Sequence, residues 1–490
     1  MERYRHLLRR LGQEHLLAFW DVLDGVQRRQ LLDDLDQVDF VRCQALIEPL
    51  VRNRQALRLP ERLEPADILP AVPTPALEAR YRRACRLGAD AIRAARVAAF
   101  VVAGGQGTRL GFDGPKGAFP ISPLRNACLF QLFAEYLLGV ERRFGARLRW
   151  YIMTSPANHA ATLEVFAQNA WFGLSPDDVF FFPQGQMPAF LPDGRIALAE
   201  QHRLALSPDG HGGSLRALAV SGALEDMRQR GIEYISYFQV DNPLVKVIDP
   251  LFLGLHIESG SEMSSKAVTK AHDLERVGNF CLADGRLTVI EYSDLPEELA
   301  RARNPDGTRR FDAGSIAIHV LSRTFIERLT APGTTAHLPW HRADKKAAVV
   351  DASGRRIAPD QPNVVKLETF VFDAIPLARN PLVMYTLREE EFSPVKNATG
   401  ADSPATTRRD LIRRAARWLE SCGCRIPRRP DGEPDAVIEI SPAYALDAED
   451  LRDRLGAPPE LRPGAELLLA SGQSTPSRVS RSIRCPTCDP

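Results

Sequence analysis

Val101-Val-Ala-Gly-Gly-Gln-Gly-Thr-Arg-Leu-Gly-Phe-Asp-Gly-Pro-Lys116 is the stretch whose reading decides the fold. Just upstream, Val97-Ala-Ala-Phe-Val-Val-Ala103 is a continuous apolar run, as expected of a strand buried on both faces. It runs into Gly104, Gly105 and Gly107, residues that permit positive φ and place no Cβ between backbone and ligand. Successive N–H groups in such a turn converge on an anion, and Arg109 and Lys116 add two cations close by. A strand, a glycine turn and cations aimed at the turn describe a polyphosphate cradle. The competing reading is an ordinary βα turn of an α/β domain with surface cations.

Spacing excludes two familiar phosphate loops. A dinucleotide fingerprint needs G-x-G-x-x-G, but Leu110 stands where the third glycine belongs and Gly111 comes one place late. A Walker loop needs Gly-Lys-Ser/Thr, whereas Lys116 follows Pro115 and precedes Gly117.

Composition narrows the class. With 490 residues the chain has core enough for two or three domains. Charged residues make up 26% and the net charge is +1, so no overall field attracts nucleic acid or membrane. The first ten residues, Met1-Glu-Arg-Tyr-Arg-His-Leu-Leu-Arg-Arg10, lack the apolar core of a signal peptide, and no apolar run approaches spanning length. A cytoplasmic enzyme is expected. Eight cysteines in so long a chain make no disulfide scaffold. Cys422 and Cys424 with Cys485 and Cys488 could supply four thiolates to zinc, though the first pair is spaced too tightly for a usual knuckle.

Three parts are expected along the chain. Residues 1–95 read as helical: Leu7, Leu8, Leu11, Leu16, Phe19, Trp20 and Leu23 recur near the helical period. A connector with prolines at 60, 65, 70, 73 and 75 should run extended over the surface before a helix over Tyr81–Arg96. Residues 96–400 alternate apolar strands with helical patterns, giving an α/β, doubly wound, mostly parallel sheet of Rossmann-like form. Candidate strands are Arg149–Thr154, Val179–Phe182, Tyr234–Val240 and Ser264–Lys270. Residues 401–490 read as a small α+β unit with a polar tail. Its helix Thr406–Cys422 carries the basic run Arg408–Arg417, read as a solvated face; the strand Ala436–Ile440 and the helix Asp447–Leu455 follow.

Ligands of such sheets bind beyond the carboxyl ends of the strands, where unusual polar residues fall here. Gln184 ends one strand, and its amide can read a uracil edge or serve as a turn amide. Pro208-Asp-Gly-His-Gly-Gly213 is a tight turn whose Gly210 admits close approach. Its His211 either meets a sugar or phosphate oxygen or caps the next helix. Asp241 lies just past a buried strand, placed to hold Mg²⁺ beside triphosphate oxygens or to cap a helix.

The glycine stretch resembles the G-G-x-G-T-R-L…P-K loop of sugar-nucleotide pyrophosphorylases. With Val289-Ile-Glu-Tyr-Ser-Asp294, Phe311–Ala317, Asn363–Asp373 and Leu387–Asn397 in order, residues 16–455 resemble the eukaryotic-type UDP-sugar pyrophosphorylases, nearest their N-acetylglucosamine-specific members. The resemblance implies that residues 96–400 form a nucleotidyltransferase catalytic domain in which Val102, Ala103, Gly104, Gly105, Gln184 and Gly210 hold the nucleotide. Arg109 would line the β/γ-phosphates and Lys116 the α-phosphate, while Lys366 and Lys396 ground the triphosphate and the sugar phosphate. Glu291 and Tyr292 would meet sugar hydroxyls between Phe370 and Phe372. Two residues depart from the family pattern on the sugar side: His211 stands where Asn is usual, and Ser315 replaces the Asn of F-N-A-G-N.

The implied activity is transfer of a uridylyl group from UTP to a sugar 1-phosphate, N-acetylglucosamine 1-phosphate first. Glucose 1-phosphate or broad acceptance is the alternative; a non-catalytic UDP-sugar-binding regulator is a third. The nucleophile arrives ionised, so charge screening and alignment carry the reaction, with Mg²⁺ on Asp241 and with Arg109, Lys116 and Lys396 as its cations.

Overall fold

The computed structural model describes residues 1–53, 60–335 and 337–471. Its centre is a ten-stranded sheet: β1 (Leu63–Pro65), β2 (Val97–Val102), β3 (Trp150–Thr154), β4 (Val179–Pro183), β5 (Tyr234–Gln239), β6 (Met263–Thr269), β7 (Asn279–Ala283), β8 (Arg286–Ile290), β9 (Ala313–Ser322) and β10 (Leu382–Tyr385). The order β5-β2-β3-β4 is parallel throughout, and β6 pairs parallel with β10. The long strand β9 joins these groups antiparallel to both β5 and β6, and β1, β7 and β8 extend the sheet antiparallel. The molecule is thus a mixed α/β protein whose parallel half carries the glycine turn.

Every residue of β2 is buried, as its unbroken apolar run requires. Val97, Ala99 and Val101 pack under α4 (Glu78–Arg93), α5 (Leu129–Phe144) and α9 (Pro250–Glu258). Ala98, Phe100 and Val102 pack under α7 (Gly213–Val220), α8 (Ala223–Gln229) and α10 (Arg323–Thr330). Helices therefore cover both faces. Gly88 and Gly254 bring the backbones of α4 and α9 into contact, since a Cβ on either would overlap the other helix.

One expectation changes here. The proline-rich connector does not simply run over the surface: β1 pairs with β7 at the sheet edge, and Leu69 bridges Met384. Hydrogen bonds to a strand edge absorb what composition alone leaves as an exposed linker. The N-terminal helices α1 (Glu2–Arg10), α2 (Gly25–Asp36) and α3 (Phe40–Leu46) bury Leu8, Leu31, Leu35 and Cys43 against Met187, Phe190 and Leu204. Buried Asp34 fixes that contact, accepting from Arg203 Nε at 2.9 Å and from the Leu204 N–H at 2.9 Å.

The C-terminal part is built on α11 (Pro404–Ser421), whose N-cap Ser403 forms a capping box with Thr406. It packs on Ala436–Ile440, which pairs parallel with Ala465–Leu469, a strand the sequence reading did not separate from the tail. The basic run is not a solvated face. Arg408 donates to the Pro120 carbonyl at 2.9 Å, and Arg413 pairs with Glu433. Arg417 pairs with Glu390, while Arg414 donates to the carbonyls of Leu244 (2.9 Å) and Glu390 (3.1 Å). Periodicity cannot distinguish an arginine facing water from one facing orphan carbonyls. Cys422 is half-buried and Cys424 buried; Cys485 and Cys488 lie outside the described residues.

Candidate active site

A cleft of about 680 Å³ opens at the carboxyl ends of β2, β4 and β5. Its walls include Val102, Gly104, Gly105 and Lys116 from the first turn, and Gln184 from the end of β4. Gly210 and His211 face it from the turn before α7, and Asp241 from the turn after β5. Four wall residues were not anticipated: Pro208, Gln239, Val240 and Glu368.

The glycine stretch closes on itself. Lys116 N–H donates to the Gly105 carbonyl at 3.0 Å, and Gly107 N–H to Gly114 at 2.9 Å. That closure carries Lys116 back beside the strand end. Its glycines serve space more than dihedral freedom: positive φ falls at Gly111 (69°) and Gly114 (142°), not at Gly104, Gly105 or Gly107. A Cβ on Gly104 would overlap Gln184 Oε1, and one on Gly107 would stand 2.7 Å from Phe112. Asn158, buried and unforeseen, donates to the carbonyls of Ala103 (3.0 Å) and Gly105 (3.2 Å) and pins the turn from behind. Arg109 sits on the short turn Thr108–Leu110, exposed and outside the cleft wall.

Gln184 is buried, and its N–H is fixed to the Thr154 carbonyl at 2.8 Å. Its side-chain amide has no hydrogen-bond partner among the described residues, leaving donors and acceptor for a ligand. Gly210 has φ 86°, and a Cβ there would stand 2.7 Å from the Thr369 nitrogen, so this turn requires glycine. His211 accepts the Val371 N–H at Nδ1 (3.1 Å), which leaves Nε2 as the ring donor. Burial, with His341 adding to it, pushes its pKa down to about 4, so the ring is neutral near pH 7. The capping alternative does not hold: Gly212 is the N-cap of α7, with no side-chain cap bond.

Asp241 also caps nothing, because no helix starts before Pro250. Its carbonyl accepts Val395 N–H at 2.8 Å, and Lys396 N–H donates to Asp402 at 2.7 Å, so Asp241 and Lys396 are held on adjoining turns. The Asp241 carboxylate has no partner among the described residues. Burial raises the pKa of Asp402, another residue not anticipated, with Lys396 opposing and Asp241 adding to the rise. Among the described residues no three acidic, histidine or cysteine side chains form a metal cage. A lone unpaired carboxylate beside a phosphate cradle suits Mg²⁺, which takes one or two carboxylates and completes its shell with phosphate and water.

The residues expected to meet the sugar gather in a second cluster, joined to the cleft through His211. His211 stacks on Phe370 (5.2 Å, 24°) and lies 5.7 Å from Phe372. Phe370 stacks in turn on His341 (4.4 Å), whose Nε2 meets Asp373 Oδ2 at 2.8 Å. This His341–Asp373 pair carries no sequence motif and was missed. Glu291 lies near it: burial raises its pKa, Asp294 and Asp373 add to the rise, and His341 and Lys396 oppose it. Ser315 N–H donates to Gly278 at 2.7 Å, and a Cβ on Gly278 would lie 3.6 Å from Glu291, so Ser315 and Glu291 share one corner. Tyr292 is 46% exposed. Lys366 shares a strand face with Glu368 on Val364–Glu368 but is not part of the cleft wall.

Comparison with known proteins gives the chain a family. Residues 80–462 match the profile of the family described as UTP–glucose-1-phosphate uridylyltransferase, and the chain belongs to that family. It is 37% identical over 486 residues to human UDP-N-acetylhexosamine pyrophosphorylase-like protein 1, covering 91% of this chain and 93% of that protein. Saccharomyces cerevisiae UDP-N-acetylglucosamine pyrophosphorylase is 34% identical over 457 residues, covering 90% and 94%. The crystal structure of uridine diphosphate N-acetylglucosamine pyrophosphorylase from Trypanosoma brucei superposes with a TM-score of 0.79 at 26% identity, covering 95% of this chain and 97% of that one. A Leishmania major UDP-glucose pyrophosphorylase mutant, 17% identical with a TM-score of 0.61, shares the fold.

Proposed function

We propose that this protein is a uridylyltransferase that makes UDP-N-acetylglucosamine and pyrophosphate from UTP and N-acetylglucosamine 1-phosphate. The observation that carries the reading is convergence. Lys116, Gln184 and Asp241, from three separate strand ends, meet around one cleft with side chains lacking hydrogen-bond or ion-pair partners among the described residues. Gln184 reads the base, with Gly104 giving it room. Lys116 faces the α-phosphate, and Lys396 holds the attacking sugar phosphate in line. Arg109 would reach the β/γ-phosphates only by extending over the turn, and Lys366 serves from the rim. Mg²⁺, where held by Asp241, would supply charge neutralisation on the phosphates. No general base is needed, because the attacking phosphate is already ionised.

Glu291 would accept from sugar hydroxyls with Tyr292 and Ser315 nearby, and Phe370 and Phe372 would offer apolar faces. One observation favours glucose 1-phosphate as a second substrate: the His211 ring is stacked against Phe370 and occupies part of that wall. A UDP-sugar-binding regulator without activity would gain nothing from leaving Lys116 and Asp241 unpaired. Among the described residues no helix is long and apolar enough to cross a membrane. The apolar cluster around α11 draws on residues 415–469 alone, whereas the one under the N-terminal helices takes in Met187, Phe190 and Leu204.

The test supplies UTP, Mg²⁺ and a panel of sugar 1-phosphates and measures pyrophosphate. N-acetylglucosamine 1-phosphate should give the highest kcat/KM, and Lys116→Ala should lower kcat by about 10²–10³. No pyrophosphate with any sugar, or full activity in Lys116→Ala, would refute the reading.

A further inference from the structure

A second cavity, of about 600 Å³, lies behind the Pro208–Gly213 turn, between that turn and the N-terminal residues Gln37–Cys43. Asp209 forms part of its wall. This residue is only 8% exposed, and its Oδ1 is buried with no hydrogen-bond partner. It is in no ion pair among the described residues, and burial pushes its pKa up to about 6. An enclosed carboxylate in that condition is costly unless something pairs with it.

Other polar groups converge on the same space without partners. Arg216, exposed on α7, makes no ion pair or hydrogen bond among the described residues, and neither do the side chains of Gln186 and Trp340. Arg42 has only a loose contact to Asp39, at 3.6 Å. The cavity therefore presents the buried Asp209 carboxylate, a second carboxylate, Asp39, at its Arg42 side, two guanidinium groups and an aromatic side.

We propose that this cavity is an effector site for a small zwitterion. The ligand's ammonium group would pair with Asp209, and its carboxylate or phosphate would pair with Arg42 and Arg216. Guanidinium groups suit either anion through paired hydrogen bonds. An occupant would be felt in the cleft, because Asp209 is wedged between its two neighbouring loops. A Cβ on Gly185 would stand 2.5 Å from Asp209 Oδ2, and one on Gly213 would overlap the same carboxylate. The Asp209 carbonyl also accepts from Thr369 N–H (2.9 Å) and Thr369 Oγ1 (3.0 Å). Gln184 and His211, one residue from Gly185 and two from Asp209 or Gly213, face the cleft from those same loops.

The test titrates the full chain with its main cleft saturated by UDP-N-acetylglucosamine. The probes are O-phosphoethanolamine and 4-aminobutyrate, with inorganic phosphate and ethylammonium as single-ended controls. At least one zwitterion should bind once per chain, about tenfold or more tighter than either control, and which one binds identifies the anion. Arg216→Glu should weaken it about tenfold or more while turnover without probe stays within about twofold. Asp209→Asn should weaken the zwitterion and not phosphate. If that variant does not fold, the ethylammonium comparison in the unaltered protein decides the same point. The bound zwitterion should shift the KM for UTP by about two- to tenfold. No binding at about 10 mM, phosphate binding as well as the zwitterion, or an unchanged KM at saturation would overturn the proposal. Turnover without probe is a separate control, so an inactive enzyme would count against the proposed reaction and not against this site.

Discussion

Gly104→Ala tests how the first turn is matched to Gln184, the residue proposed to read the base. The added Cβ would overlap Gln184 Oε1 and stand 3.3 Å from its Cδ and 3.4 Å from the Ser155 nitrogen. Normal contact is roughly 3.5–4.0 Å, so the Gln184 amide must move by about 1 Å. It has little freedom to do so, since its N–H is held by Thr154 and the residue is buried. A shift of that size breaks or bends the hydrogen bonds to a uracil edge, each worth about 1–3 kcal/mol when the abandoned group stays buried. The KM for UTP should rise about 10–100-fold, with a much smaller change in kcat. Initial rates against UTP concentration measure this, and a thermal melt confirms folding. Gln184→Ala should produce a similar rise, and Gly104→Ala with Gln184→Ala should be no worse than Gln184→Ala alone, because the clash partner is gone. A KM within twofold of the parent in Gly104→Ala, or simple additivity in the double variant, would refute the reasoning.

Arg414→Lys removes one of two bonds to the Leu244 and Glu390 carbonyls, which tie the Asp241 and Lys396 turns to α11. It should lower kcat by about tenfold and raise the Mg²⁺ needed for half-activity, with the KM for UTP unchanged; a lower melting point alone would mark a purely structural role. His211→Asn frees the wall beside Phe370 and should raise the kcat/KM preference for N-acetylglucosamine 1-phosphate over glucose 1-phosphate by about tenfold, as read from paired initial rates. Stability should fall as pH drops below about 6.5, because burial holds His256 and His319 at about 3 in the folded chain while the unfolded chain protonates them. Each contributes a slope of up to about 1.4 kcal/mol per pH unit. Asp209, raised to about 6, opposes them between about pH 4 and 6, with Glu291 and Asp402, also raised by burial, on its side and His211, held at about 4, on theirs. Urea denaturation at pH 7 and pH 5 should therefore show the lower midpoint at pH 5; equal midpoints would contradict these assignments.

The parts of the site legible in the sequence are those set by local pattern. The apolar run before Gly104 could only be a doubly buried strand, and the ends of β2, β4 and β5 then placed Lys116, Gln184 and Asp241 at one edge. What escaped depends on contacts between distant residues. His341 meets Asp373 across 32 positions, and Asn158 reaches back to Ala103 across 55. Neither leaves a local spacing to read. The basic face of α11 misled for the same reason, since the carbonyls that Arg414 satisfies lie 170 and 24 residues away. In the glycine turn the two reasons for glycine fall at different places: the missing Cβ counts at Gly104, where the room goes to Gln184, while the left-handed backbone lies further on, at Gly111 and Gly114.

The most direct measurement is a crystal structure of the protein with UDP-N-acetylglucosamine. The account predicts uracil within hydrogen-bond distance of Gln184, the diphosphate beside Lys116 and Asp241, and the sugar ring between Glu291 and the Phe370–Phe372 wall. Uridine diphosphate bound elsewhere, with the turn after β2 empty, would contradict it.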